Sequence, residues 1–313
     1  MVRYITNRLF MLIPTLFVVS IVVFGLQKLL PGDVAITLAG EDKDPTVIAQ
    51  IRAQYHLDRP MLTQYAYWLN DVAHGDLGRS MRNQISVVEL ILAKLPATLM
   101  LSTIAMIWAL VIGVPTGILS ALRKGTWIDY LSNVVGLAGL SVPPFWLGLM
   151  LILLVSVELG WLPASGYVSP FQDFGECIRS LLMPSFVLGA NVAGVIMRHT
   201  RSAMLTAMSA DYIRTARAKG LGRRIIIVRH GFRNALVPLI TVTALQLGAL
   251  LSGAILTEQV FTIPGFGRLI VDSVYNRDYS VVQGVVLTTA TIYMLLNLFA
   301  DLAYAVADPR VRR

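Results

Sequence analysis

The sequence predicts an all-α integral membrane protein with six transmembrane helices and both termini in the cytoplasm. A small helical cap lies outside and a helical loop lies inside. Three observations lead there. Only 14% of the 313 residues are charged and 56% are hydrophobic, with a mean hydropathy of +0.67. A soluble domain is about a quarter charged. Long uncharged runs recur, several near the ~20 residues that cross a bilayer. Most of the 26 Lys and Arg fall in alternate connections.

The runs give six spans, at 9–27, 98–122, 134–157, 182–203, 236–257 and 281–306. The fourth is interrupted by Arg198, His199 and Arg201, whose heads are expected to snorkel to the interface. Pro14, Pro115, Pro143, Pro144, Pro184 and Pro238 lie in or beside spans. Neighbouring helices can satisfy the backbone groups a proline frees. The first run follows Arg3 and Arg8, as a secretory signal would. Its apolar core exceeds the usual length of roughly 7–15 residues, and no small-x-small site follows closely. It reads as a retained helix.

Orientation follows from the cations. Arg3 and Arg8, Arg123 and Lys124, the dense series from Arg198 to Arg233, and Arg310 to Arg313 share one side. The acids beside them are Asp129, Asp211 and Asp308, and Asp301 sits inside the last span. That side is cytoplasmic, and two cytoplasmic termini require an even number of spans. The pI of about 9.8 therefore reflects topology. A nucleic-acid face would need stacking aromatics among its cations, and only Tyr212 and Phe232 lie near the densest stretch. One cysteine, Cys177, excludes an intrachain disulfide.

Two polar regions interrupt the spans. Residues 31–96 read as an extracytoplasmic helical cap. Pro45 opens a helix through about Tyr55, since proline suits a first turn. Pro60 opens another, with Leu62, Tyr65, Trp68, Leu69 and Val72 at helical spacing. Gly75-Asp76-Leu77-Gly78 breaks it. Packing against the membrane face accounts for most of these aromatics, which leaves the polar face for a partner.

Residues 204–234 form the cytoplasmic loop. A short helix is expected over 211–219, Gly220 suits its left-handed cap, and a second short helix is expected over 223–234. A plain connection needs only a few residues, so the extra length suggests a protruding knob for a cytoplasmic partner. A basic loop resting on anionic headgroups is the alternative. Small residues at Ala216 and Ala218 would allow close approach, and the arginines would pair with a partner's acids.

The sequence carries no catalytic set. There is no G-x-x-x-x-G-K-[ST] to cradle ATP phosphates, no H-E-x-x-H and no G-x-S-x-G. His56, His74, His199 and His230 are scattered without metal spacing. The spans nearly lack the ionisable groups an ion-coupled carrier uses. No cofactor or metal site is expected, an intramembrane enzyme is disfavoured, and the chain reads as a conduit driven by a partner.

Arg214 to Leu221 reads R-T-A-R-A-K-G-L, and His230 to Ala235 reads H-G-F-R-N-A. In these residues the loop resembles the EAA loop of ABC-importer permeases, and most of all that of the dipeptide, oligopeptide and nickel branch. Against the general E-A-A pattern, Arg214-Thr215-Ala216 stands at E-A-A with Gly220 in register, and the later I-x-L-P is replaced. Further matching motifs run along the whole chain. They are Leu30-Pro31-Gly32-Asp33, Leu57-Asp58-Arg59-Pro60, Gly75 to Ser80, Trp161 to Gly166, Glu258, Phe261, Pro264 to Leu269, Arg277-Asp278-Tyr279 and Asp308-Pro309-Arg310.

The resemblance implies a heteromeric importer working by alternating access. Two homologous permeases form the pathway. Two ATPase subunits, which bind ATP and Mg, grip the cytoplasmic loops, and an extracytoplasmic binding protein delivers substrate. The cargo would be a di- or oligopeptide or a glutathione-like peptide; nickel or another small solute is the alternative, and a receptor or scaffold without transport is a further one. Asp211, Arg214, Thr215, Ala216, Arg217 and Gly220 would couple to the ATPase, with Arg233 and Asn234 bracing the base. Asn191, Thr241, Thr243, Gln246 and Ser252 are candidates to line the pathway, or equally to hydrogen-bond packed helices.

Overall fold

A computed structural model describes residues 2–29, 35–36, 44–54 and 57–307. Leu30 to Asp33, Tyr55, His56 and Asp308 to Arg310 lie outside the described residues, as do the side chains of Arg3, Arg8, Ser252 and Asp301. Among the described residues the fold is helical, with a single isolated bridge between Arg79 and Ser86.

Helix α1 (Val2–Leu29) carries an apolar stretch, Phe10–Gly25. The cap helices α2 (Pro45–Gln54) and α3 (Met61–Ala73) start where the prolines place them. Ahead of α2, the Asp44 carboxylate accepts the Thr46 backbone N–H and hydroxyl, both at 2.8 Å. Those bonds, the backbone one foremost, hold the Asp44 acid below its ordinary pKa. Helix α3 lays Tyr65 and Trp68 on Phe24 of α1, with ring centroids 5.4 and 5.7 Å apart. The Tyr65 hydroxyl meets Ser20 Oγ at 2.7 Å. The aromatic stripe of the cap thus packs on the first helix of its own chain.

Helix α4 (Val87–Leu122) has 36 residues, roughly 54 Å at 1.5 Å per residue. It takes the last part of the 31–96 region into one continuous rod. The predicted 134–157 span is not one rod. Helices α5 (Trp127–Ser141) and α6 (Pro144–Leu151) are separated by a sharp break, and α6 continues as wider π turns over Ile152–Glu158. The two halves bend by 99°. Two prolines explain the break: Val142 and Pro143 are extended, with ψ of 123° and 129°, because a residue before proline avoids the helical region.

Helix α7 (Phe174–Ser209) starts at Asp173, whose carboxylate caps the Glu176 N–H at 3.0 Å. A tight bend leads to α8 (Asp211–Ala218). The second short helix expected over 223–234 does not end there. It begins at Arg223, widens into π turns over Ile226–Phe232 and runs directly into α9 (Arg233–Val260). No stop signal divides it, and the π turns lay Gly231 against Met208, where a Cβ would sit 2.8 Å from the sulfur. Helices α10 (Phe266–Tyr275) and α11 (Tyr279–Ala307) are the last described elements.

Among the described residues, four helices are long and apolar enough to cross a membrane, or five if the bent pair α5–α6 counts as one. Helix α7 is the centre, and its most extensive contact is with α4. Gly113 and Gly117 of α4 permit it: an added Cβ would stand 2.7 Å from the Ala193 carbonyl oxygen and 2.6 Å from that of Met197. This is the close backbone approach that small residues four apart allow between helices in lipid.

Candidate functional site

Helix α8 protrudes from the end of α7, and its two sides differ. Ile213 and Ala216 are buried, and with Ile226 and Met208 they form a small apolar base. Asp211, Arg214, Thr215, Arg217 and Gly220 are exposed. Ala216 therefore faces its own chain. The close approach its size permits is to the base beneath it, and Ala218 is the exposed small residue.

The helix ends in a Schellman turn. The Gly220 N–H reaches the Arg217 carbonyl at 3.0 Å, and the Leu221 N–H reaches that of Ala216 at 3.3 Å. Gly220 has φ +75°, a conformation glycine adopts without Cβ strain. Arg214 pairs with Asp211 at 3.5 Å across one turn, both well exposed, so neither is committed to the body of the protein. Arg233 and Asn234 are exposed, and the Asn234 amide donates to the His230 carbonyl at 2.7 Å. A cavity of about 550 Å³ lies beside the knob, lined by Ala121, Leu122, Met208, Arg217, Arg223 and Ile226 among others.

Helix α7 is anchored just above the knob. Arg201 does not snorkel. Its Nε and Nη2 donate to the two oxygens of Asp129 at 2.9 and 3.0 Å. Ser120 Oγ, the Gly125 N–H and Asn133 Nδ2 also donate to that carboxylate. Asp129 is buried, and a buried carboxylate needs such a complete shell. Arg198 and His199 remain exposed.

Two further braces hold the end of α4 away from the knob. Thr98 Oγ1 donates to Glu258 Oε1 at 2.5 Å, and the Arg268 N–H donates to Oε2 at 2.9 Å. The Phe266 N–H closes the set on Thr98 Oγ1 at 2.8 Å. The Asp278 carboxylate accepts the Ser80 hydroxyl and the Met81 N–H, and Arg82 reaches Asn276 Oδ1 at 2.7 Å. Motifs nearly two hundred positions apart thus meet in the cap. The sequence places Asp129 among the acids of the basic side but gives it, Thr98 and Ser120 no partner, because lone polar residues near span ends have no spacing that reveals one.

The polar span residues are dispersed. Asn191 Nδ2 lies 3.5 Å from the Gly139 carbonyl, and Thr241 Oγ1 lies 3.4 Å from that of Val237. Thr243 and Gln246 are half-buried on α9. The first contact joins α7 to α5, and the second lies within α9 itself.

Residues 113–313 match the family described as binding-protein-dependent transport system inner membrane component, and residues 1–102 match its N-terminal membrane component. The dipeptide transport system permease protein DppB of Alkalihalophilus pseudofirmus is 42% identical over 332 residues, covering 100% of both chains. The glutathione transport system permease protein GsiC of Escherichia coli is 42% identical over 312 residues, covering 100% of this chain and 99% of its own. A chain of the MetNI methionine ABC transporter, in an inward-facing crystal form, shares the fold. Its TM-score is 0.58 at 19% identity, over 71% of this chain and 97% of that one.

Proposed function

Because this chain belongs to the family of binding-protein-dependent transport system inner membrane components, we propose that it is one of two homologous permeases in an ATP-driven importer of short peptides. It is a transport subunit of the bacterial inner membrane, and ATP hydrolysis belongs to separate subunits. The proposed cargo is a di- or oligopeptide or a glutathione-like peptide, in keeping with the names of the relatives at 42% identity.

One observation carries the mechanism. Helix α8 is fixed to the body by Ile213 and Ala216 while its charged side is exposed. It is a short rigid handle with a firm base. A partner ATPase, holding ATP and Mg itself, would grip Asp211, Arg214, Thr215 and Arg217, with Gly220 ending the helix and Arg233 and Asn234 flanking its base. Closure of the ATPase pair would move this handle and its counterpart on the second permease. Force would pass through the Arg201–Asp129 anchor into α7, α4 and α5, and the pathway would open outward. Hydrolysis resets it.

Six spans are assigned as α1, α4, the bent pair α5–α6, α7, α9 and α11. An even count puts both termini on one side, and the basic loop around α8 makes that side cytoplasmic. The cap formed by α2 and α3 then faces the binding protein.

The test is ATPase activity of the reconstituted complex, with and without binding protein loaded with a short peptide. Stimulation by the loaded protein is expected. Stimulation only by a chelated metal or another small solute would replace the cargo. A permease that retains no ATPase under mild conditions would overturn the coupling role.

A further inference from the structure

The outward faces of most helices suit lipid. Helix α4 exposes Leu92, Leu99, Ile107, Val111 and Leu119, and α5 exposes Leu131, Val134, Val135 and Leu137. Helix α7 is different. Beyond Phe174 it exposes no large apolar side chain, and its exposed residues from Leu181 onward are Arg198, His199, Ser202, Thr206 and Ser209. Helices α4, α5 and α9 cover its other sides. From Leu181 onward its exposed face, confined to residues 198–209, is therefore polar.

Part of that face lines a cavity of about 450 Å³, bounded by His199, Ser202 and Thr206 of α7, Tyr212 of α8, and Asn234 and Pro238 of α9. Among the described residues, the side chains of His199, Ser202 and Thr206 have no hydrogen-bond partner. Tyr212 belongs to the exposed knob, so any displacement of α8 moves one wall of the cavity.

We propose that this face, from Arg198 to Thr206 with Tyr212 and Asn234, lines the cytoplasmic exit of the peptide pathway. The inference rests on the peptide-importer reading and adds where the substrate leaves. Hydroxyls and an amide offer both donors and acceptors to peptide groups. Single neutral contacts release a solute readily, as a conducting path requires. Arg198 is the fixed charge on the face, and it would draw the free carboxylate of a peptide. An array headed by a fixed cation suits a zwitterion better than a bare metal cation.

The test uses the whole complex, carrying Ser202→Cys or Thr206→Cys. The native Cys177 is buried, and the complex without the introduced cysteine, treated in parallel, sets the background from the other subunits. A sulfonated, membrane-impermeant methanethiosulfonate is applied to the cytoplasmic side. Both cysteines are expected to react in the nucleotide-free complex and to react roughly tenfold more slowly with the ATPases trapped by ATP and vanadate. Modification should block dipeptide uptake while ATPase activity persists.

Cysteines that are inert in every state would mean that the second permease or lipid covers this face, and would overturn the proposal. So would reactivity indifferent to nucleotide. Arg198→Gln should lower uptake of a free-acid dipeptide more than of its C-terminal amide, and equal loss would remove the carboxylate contact. If the complex moves no peptide but the cysteines still respond to nucleotide, the peptide reading fails and the exit stands for another cargo.

Discussion

Arg201 holds Asp129 through both oxygens, Nε to Oδ1 at 2.9 Å and Nη2 to Oδ2 at 3.0 Å, from a helix 72 positions away in sequence. The pair ties α7 to the start of α5, and Ser120 adds α4, so three helices meet at one carboxylate just above the knob. Removing one member leaves the other uncompensated and should cost about 3 kcal/mol. Asp129→Ala is expected to lower the yield and thermal stability of the complex in detergent. The exchange Asp129→Arg with Arg201→Asp should not fully restore it, because the Gly125 N–H can only donate, and Ser120 and Asn133, which now donate to the carboxylate, would have to turn to accept from a guanidinium. Full rescue by the exchange would reduce the site to a simple charge pair.

At the end of α4 away from the knob, the Glu258 carboxylate leaves no room at its neighbours. A Cβ on Gly265 would fall 2.2 Å from Glu258 Oε1, and one on Gly267 would fall 2.6 Å from the Ile255 Cα. Gly265→Ala should therefore displace the carboxylate from Thr98 and destabilise the complex by about 2 kcal/mol or more. Gly222→Ala is the control, since a Cβ there meets nothing within 4 Å. Equal melting temperatures for the two variants would contradict the brace.

The knob offers a separation of packing from contact. Ala216 is 5% exposed and Ala218 is exposed. Ala216→Leu should overpack the base formed by Ile213 and Ile226, costing about 1–3 kcal/mol, and uncouple ATP hydrolysis from uptake. Ala218→Leu should leave the permease itself unchanged in stability, so any effect it has must come through a partner. Uptake assays beside detergent stability of the isolated permease distinguish the two.

Gly220 and Arg214 test the handle more directly. Gly220→Pro fixes φ near −65° and removes a donor, where the chain needs φ +75° and an N–H bound to Arg217. Gly220→Ala meets no steric contact and should cost only the left-handed penalty of about 1 kcal/mol. Arg214→Glu reverses an exposed charge. The Gly220→Pro and Arg214→Glu variants are expected to insert in the membrane normally and to lose most ATP-driven uptake. Normal uptake in both would remove α8 from the coupling path.

Most of the fold was legible in residue order. The cap helices follow from Pro45 and Pro60, and the knob follows from a basic, amphipathic stretch closed by Gly220. Each is a local matter of propensity, capping or solvent preference. The apolar runs likewise announce a membrane, because lipid imposes a length on every helix that crosses it.

What residue order left undecided needed three dimensions. Pro143 and Pro144 were visible, but a residue before proline can end a helix or leave a tolerated kink, and only the structure shows the extended backbone at Val142 and Pro143 and the 99° bend. Arg201 looked like a snorkelling cation until packing brought Asp129 within reach. Ala216 looked like a contact surface until Ile226 filled the space beneath it. Composition and periodicity thus determine which segments are apolar enough to cross a bilayer and which carry a polar, exposed side. Partnership between distant polar groups is decided by tertiary packing, since a buried charge or close glycine contact depends on atoms that sequence spacing does not bring together.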